Sequence, residues 1–241
     1  MWNKKTVAVI FPTYREKKSI CKAILDFDLS GYVDEIIVVD NNAEEGTEEE
    51  VKKTRAKLIK ETKQGVGRAI KTGIINTKAD LIIVAEPDGT FVGRDVLKLL
   101  SYSDDFDMVF GSRTHIPLIK KNSGMTIPRR LFDYAFARMI NLLFVCPRLT
   151  DVGCIMRLTN RKAWQKIVNE CKSDDALFIT EWQLVAAKHK VKFIEVPVNF
   201  QKRVGMSQIT ATFKDQAKWG IKIFLYIWKI WFIHNIWRKL V

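Results

Sequence analysis

Histidine and cysteine are both scarce in this chain. Its 241 residues hold three histidines, His115, His189 and His234, far apart from one another, so a histidine-based zinc site is not expected. The four cysteines, Cys21, Cys146, Cys154 and Cys171, form no CxxC pair. That excludes metal-knuckle spacing and a dense disulfide framework, and leaves free thiols in a reducing compartment as the expectation. No GxGxxG follows the first strand-like run and no GxxxxGK[ST] occurs, which counts against dinucleotide-dependent dehydrogenases and P-loop NTPases. The chain opens Met1-Trp2-Asn3-Lys4-Lys5 and passes into a strand-like run without an apolar signal core, so its bulk is expected on the cytoplasmic side. Internal repeats and low-complexity linkers are missing as well.

Acidic residues are in deficit. Forty Lys and Arg stand against 27 Asp and Glu, a formal net charge of +13 and a pI near 9.6. A surplus of that size points to an anionic partner, whether nucleic acid, phosphate groups or an acidic membrane surface, unless it is only a basic surface. The 47% apolar content is that of a globular protein. The length suits one domain, with or without an appendage.

The first half alternates short apolar runs with helical patterns. Thr6–Phe11, Glu35–Asp40, Ala56–Glu61, Leu81–Ala85 and Met108–Gly111 read as strands, and Lys17–Phe27, Thr47–Arg55, Gly67–Thr77 and Arg94–Ser101 as helices. Val- and Ile-rich strands without polar alternation suit a parallel sheet covered on both faces. Repeated strand–helix–strand units give an α/β fold with right-handed crossovers. The second half is less regular: Arg129–Phe144, Arg161–Glu170 and Thr180–His189 read as helices and Lys192–Val198 as a strand. A basic, polar stretch follows at Gln201–Ser207. The expected division is a catalytic unit over 1–210 and an amphipathic interfacial segment over 211–241.

That last segment is dominated by Ile, Phe, Leu and Trp between Trp219 and Trp237. Lys218, Lys222 and Lys229 interrupt it at spacings that place them on one helical face. Its charge-free runs fall short of the roughly 18 residues of a spanning helix. Tryptophans beside lysines are typical of helices that lie in a membrane interface. Aromatic and basic residues interleave only here, so no nucleic-acid surface is expected.

In an open parallel sheet, ligands bind at the carboxyl ends of the strands. After the first strand come Pro12-Thr13-Tyr14-Arg15-Glu16, a Pro turn and a helix start. The second strand ends in Val39-Asp40-Asn41-Asn42, where Asp40 can accept from a base or ribose or cap a turn. Lys63-Gln64-Gly65-Val66-Gly67-Arg68-Ala69 puts two glycines before a helix, either a plain turn or close backbone approach to an anion at the helix N-terminus. The fourth strand runs into Glu86-Pro87-Asp88-Gly89-Thr90. Two carboxylates one residue apart after a buried strand suit Mg²⁺ or Mn²⁺ bridging to phosphates; taken alone, a Pro-Asp-Gly turn explains them equally.

Taken in order, these segments and Gly111-Ser112-Arg113 resemble the successive motifs of family 2 glycosyltransferases of the GT-A fold. The group most resembled is that of dolichol-phosphate-mannose synthases and polyprenyl-phosphate sugar transferases. Thr150-Asp151-Val152-Gly153-Cys154 is similar to that group's Asp-containing acceptor segment. Glu195-Val196-Pro197-Val198 and Arg203-Val204-Gly205-Met206-Ser207 resemble its late strand and Arg-x-Gly-x-Ser loop. The likeness spans residues 5 to 210, with Glu86 standing where the group's first metal-binding Asp usually does.

The resemblance implies a Rossmann-like, mostly parallel sheet and an inverting transfer from a GDP- or UDP-linked sugar. It implies that Pro12, Tyr14, Glu16, Asp40, Gln64 and Gly67 line the nucleoside pocket. Glu86 and Asp88 would hold Mg²⁺ or Mn²⁺, and Arg203 would close over the diphosphate. Asp88, Asp151 and Arg203 are the implied catalytic residues, and Arg113, Arg129, Arg130 and Ser207 those that bind the phosphate of a polyprenyl acceptor. A lipid phosphate is already anionic near neutral pH, because its second pKa lies at about 6. It needs no general base, whereas a glycan or lipid hydroxyl would, with Asp151 as the candidate. The expected site of action is the cytoplasmic face of a membrane, as a peripheral or monotopic protein. A basic membrane-binding module without chemistry is the non-enzymatic alternative.

Overall fold

In the computed structural model, which describes residues 1–205 and 213–240, a seven-stranded sheet has the order β3-β2-β1-β4-β6-β5-β7. Its strands are β1 (Val7–Thr13), β2 (Glu35–Asp40), β3 (Lys57–Lys60), β4 (Leu81–Val84), β5 (Met108–Ser112), β6 (Arg157–Asn160) and β7 (Phe193–Pro197). All pairings are parallel except those of β6, which runs antiparallel between β4 and β5. The helices are α1 (Lys17–Asp28), α2 (Thr47–Lys52), α3 (Val66–Ile75), α4 (Asp95–Leu100), α5 (Ile127–Phe144), α6 (Arg161–Ile167), α7 (Leu177–Lys188) and α8 (Phe213–Leu240).

The central strands behave as their composition requires. Every residue of β1 and β4 is buried, as expected where helices cover both faces. At the sheet edge, β3 exposes Lys57 and Lys60 at its two ends, charges that discourage edge-to-edge pairing. On α1 the buried positions Ile20, Ala23, Ile24 and Phe27 recur every three or four residues and face the sheet. α5 begins at Ile127, two residues before the start its sequence pattern suggests. Thr126 caps it by accepting from the Arg129 N–H at 3.4 Å, and Pro128 follows in the first turn.

β6 is the strand that the sequence reading does not contain. Arg157-Leu158-Thr159-Asn160 carries no apolar run, yet Arg157, Leu158 and Thr159 are buried. The Arg157 guanidinium lies between the rings of Phe110 and Trp182, 5.3 and 5.2 Å from their centroids. It donates to the Ile179 carbonyl at 2.9 Å and to the Cys154 carbonyl. Burial pulls its pKa down to about 10. The arginine thus pins β6 to α7 through carbonyl acceptors and aromatic faces.

The strand order reverses between β1 and β4, with β2 on one side and β6 on the other. The carboxyl ends of these two strands therefore flank the crevice where an open α/β sheet takes its ligand. Helix α8 packs on α5 and α7. Its Ile223 and Ile227 belong to the core, while Ile221, Phe224, Leu225, Trp228 and Phe232 are exposed. Lys218, Lys222 and Lys229 are exposed beside this second apolar face. No helix among the described residues is long and apolar enough to cross a membrane. Among the described cysteines none is paired in a disulfide.

Candidate active site

The chain leaves β4 through Ala85 and enters the turn Glu86-Pro87-Asp88. Asp88 is buried, and its Oδ1 accepts from the Thr90 N–H at 2.9 Å and the Thr90 hydroxyl at 2.5 Å. That leaves Oδ2, which accepts no hydrogen bond among the described residues. Arg203 Nη2 stands 2.6 Å from this oxygen and 3.2 Å from Glu86 Oε1. The guanidinium thus forms an ion pair with both carboxylates. Burial and the neighbouring Asp88 push Glu86 up to about 7, against the pull of Arg203 and Arg113. Arg203 is raised: burial opposes its charge, but Glu86 and Asp88 outweigh it.

At the end of β1, Pro12 is paired in register with Val39, and Thr13 with Asp40. Glu16 Oε2 accepts from the N–H groups of Tyr14 and Arg15 at 2.7 and 2.8 Å. Its pKa is raised by burial, with those two N–H groups and Arg203 opposing and Asp88 adding to the rise. Glu16 and the acidic turn therefore share one electrostatic neighbourhood. Asp40 Oδ1 accepts from the Ala43 N–H at 2.7 Å and closes the turn after β2.

Asn41 is a residue to which the sequence reading gives no role. Its amide donates to the carbonyls of Glu61 and Lys63 at 2.9 and 2.8 Å, and its Oδ1 accepts from the Gly65 N–H at 2.7 Å. It fixes the loop that carries Gln64, whose Oε1 accepts from Asn42 at 2.9 Å. Gly65 has φ of 147°, and a Cβ there would lie 2.2 Å from the Asp174 carbonyl oxygen. At Gly67 a Cβ would lie 2.5 Å from Phe178 Cβ. The two glycines let α3 close onto the segment before α7, and the Arg68 N–H is spent on the Asp174 carbonyl at 3.0 Å. Space above Gly67 is thus filled by protein.

Arg113 and Asp151 form the most enclosed charge pair of the site. Asp151 is fully buried. Arg113 Nε and Nη2 donate to its two oxygens at 2.8 Å each, the Arg113 N–H adds a third bond at 2.8 Å, and the Gly153 N–H a fourth at 2.9 Å. Burial opposes ionisation of Asp151, yet Arg113 holds its pKa below the ordinary value. Burial likewise works against Arg113, and Asp151 keeps it firmly protonated. Every lone pair of the carboxylate that faces a donor is committed, so proton abstraction by Asp151 would require opening this fork. Behind it, Glu195 Oε1 and Oε2 accept from the N–H groups of Asp151 and Thr150 at 2.9 and 2.7 Å and from the Thr150 hydroxyl at 2.6 Å. Burial lifts Glu195 to about 7.

Glu86, Arg113, Arg129 and Arg203 all border one cavity of about 400 Å³. Phe132 and Phe136 of α5, Phe200, and Trp219 and Ile223 of α8 supply its apolar wall. Arg129 is half-buried, and its pKa is lowered by burial and by Arg113. Arg130 is half-buried outside this wall, and its Nε has no hydrogen-bond partner among the described residues. Ser207 lies outside the described residues. Asp133, also on the wall, has one signal in the sequence, its place four residues after Arg129 on the same helical face.

Residues 8–168 match the sequence model of Glycosyl transferase family 2. The chain is 29% identical over 204 residues to an uncharacterised protein, MJ1222, of Methanocaldococcus jannaschii, covering 81% of this chain and 82% of that one. A dolichyl-phosphate hexose transferase of Haloferax volcanii is 26% identical over 207 residues, 84% of this chain and 86% of that protein. A human dolichyl-phosphate beta-glucosyltransferase is 24% identical over 233 residues, 85% and 71% of the two chains. Among solved structures, glucosyl-3-phosphoglycerate synthase of Mycobacterium tuberculosis, crystallised with Mn²⁺, UDP and glucosyl-3-phosphoglycerate, superposes with a TM-score of 0.68. That match covers 94% of this chain and 80% of the synthase at 12% identity, a likeness of fold, here GT-A.

Proposed function

We propose, given that this chain belongs to glycosyl transferase family 2, that it moves a hexose from a nucleotide-linked donor to a polyprenyl phosphate at a membrane surface. The observation that carries this reading is the single cavity joining three chemistries. An acidic turn under Arg203, two further arginines, Arg113 and Arg129, and an apolar wall from α5 and α8 all border it. The relatives named for dolichyl-phosphate transfer support the same acceptor class.

The acidic turn fits a divalent cation. Asp88 Oδ2 is buried and unclaimed by any hydrogen bond among the described residues, and Glu86 lies beside it. These are hard oxygen donors of the kind Mg²⁺ and Mn²⁺ prefer. Among the described residues no group of three His, Cys, Asp or Glu could hold an ion unaided, so donor phosphates and water would complete its shell. When bound, such an ion neutralises the donor diphosphate and stabilises the leaving nucleoside diphosphate.

The chain's own residues do the rest. Thr90 fixes the Asp88 carboxylate. Arg203 supplies positive charge over the same turn. Arg113, held rigid by Asp151, and Arg129 attract the acceptor phosphate, for which guanidinium groups are well matched. The phosphate is itself the nucleophile, and a single displacement inverts the anomeric carbon. Asp151, with its oxygens held by Arg113 and Gly153, orients the arginine. A hydroxyl acceptor would need a free base there, which is why the phosphate reading is favoured.

In this reading α8 lays its exposed apolar face, rimmed by lysines, into the membrane interface, with the cavity opening beside it on the cytoplasmic face. Transfer of label from GDP- or UDP-hexoses to polyprenyl phosphate, in detergent with Mg²⁺ or Mn²⁺, tests the proposal. Organic-extractable product is expected. Labelled product only on hydroxyl acceptors would replace it.

A further inference from the structure

Asp133 lies in the cavity wall with the two arginines assigned to the acceptor phosphate. Its side chain is 14% exposed, and Arg113 Nη2 is 3.5 Å from its Oδ2. That oxygen is buried and accepts no hydrogen bond among the described residues. Arg129 stands one helical turn before it on the same face of α5. Gly153 makes room for the arrangement: a Cβ there would lie 2.8 Å from Arg113 Nη2 and 3.3 Å from Asp133 Oδ1. The carboxylate is therefore built into the site with one oxygen left without a donor.

Two carboxylates balance the two arginines here. Asp151 answers Arg113 at 2.8 Å, and Asp133 lies 3.5 Å from the same guanidinium and supports the charge of Arg129. A phosphate monoester above pH 7 is a dianion, its second pKa being about 6. Brought between Arg113 and Arg129, it meets a carboxylate as well as two cations. Like charges a few ångströms apart disfavour each other's ionised form. Resting on the proposed phosphate acceptor, we infer that Asp133 takes up one proton from solvent when the dianion binds and donates it as a hydrogen bond to a phosphate oxygen. The site thus selects the acceptor together with a proton.

Asp133 is ready for this. Burial and Asp151 lift it to about 7, with Arg113 and Arg129 opposing. The other charged groups facing it across the cavity are Glu86, Lys202 and Arg203. From α7 and α8 the wall receives Ile179, Thr180, Trp219, Gly220 and Ile223, none of them titratable near neutrality. An incoming dianion raises Asp133 further, so the proton is held in the complex and lost from the free site as pH rises. Acceptor affinity then falls with pH above about 7, by up to tenfold per unit.

The test compares wild type with Asp133→Asn, an isosteric side chain that always offers an N–H. Polyprenyl-phosphate KM is measured from pH 6.5 to 8.5 at saturating donor. The wild-type KM should rise by roughly tenfold between pH 7 and 8.5, and that of Asp133→Asn should stay within about twofold. The donor KM, measured alongside, should show no such difference and reports that the variant is folded. Equal pH profiles for the two proteins overturn the inference while leaving the phosphate acceptor intact. No turnover of polyprenyl phosphate by wild type overturns the functional reading, and this inference with it. Should the variant not fold, calorimetry of the wild type with a short-chain polyprenyl phosphate decides. At pH 8, in two buffers of different ionisation heat, it should show close to one proton taken up per acceptor. A count near zero overturns the inference.

Discussion

Arg203 Nη2 rests 2.6 Å from Asp88 Oδ2, on the oxygen of that carboxylate that accepts no hydrogen bond among the described residues. The guanidinium therefore neutralises the same pair of carboxylates that the proposed metal ion would need. Cation and arginine compete for one place.

Replacing Arg203 by Ala removes that competitor. In the absence of nucleotide, Mn²⁺ should bind the variant about tenfold more tightly than wild type, close to 1.4 kcal/mol. Transfer should fall sharply, since charge over the leaving diphosphate is lost. Electron paramagnetic resonance of free Mn²⁺ reads the binding. Unchanged or weaker Mn²⁺ binding would contradict the competition.

The fork between Arg113 and Asp151 makes a prediction about stability and its pH dependence. Asp151→Asn leaves a buried guanidinium without its counter-charge, which costs about 3–5 kcal/mol. The folded-state pKa of Asp151 lies below the unfolded value. Its contribution is therefore present above that unfolded value, about 3.9, and is lost as pH falls through the folded one. Urea unfolding at pH 7 should show the full difference between variant and wild type, and unfolding in acid a smaller one. A difference that grew in acid would be inconsistent with the fork.

Gly67→Ala tests a packing role. Its Cβ would lie 2.5 Å from Phe178 Cβ and 2.9 Å from the Ser173 carbonyl oxygen. Overpacking of this kind costs about 1–3 kcal/mol. Thermal melting should drop accordingly, with the nucleoside-diphosphate Kd changed less than about threefold. A large loss of nucleotide affinity at unchanged stability would instead place ligand, not Phe178, over Gly67.

The exposed face of α8 is tested by Ile221→Glu with Leu225→Glu. These side chains are 61% exposed, so the fold should melt within a degree or two of wild type. Sedimentation with vesicles rich in anionic lipid should fall by at least about tenfold, because buried apolar area drives interfacial binding. Retained sedimentation would remove the membrane role of this face.

Much of the sheet is readable from composition because β1, β2 and β4 are buried on both faces and so appear as unbroken Val and Ile runs. β6 is not, since its burial depends on partners distant in sequence, Phe110 and Trp182 around Arg157. At the site, ordered polar residues after the strands mark Glu16, Asp40 and Glu86–Asp88 as neighbours, because topology alone gathers strand ends. What each partner does is invisible in the sequence. Nothing in the letters says that Asp151 is spent on Arg113, or that Gly67 faces Phe178. Asp133 looks like one more charge on a helix until α5 is seen to wall the cavity.

In the proposed site Arg129 and Arg113, on the wall of the cavity that Glu86 also borders, hold an anionic acceptor. Steady-state kinetics of Arg129→Ala, with a hexose donor and polyprenyl phosphate varied separately, tests it most directly. Acceptor KM should rise at least about tenfold, the loss of one charge-assisted phosphate contact, while donor KM stays within about twofold. A matching rise in both, or a rise in donor KM alone, would contradict it.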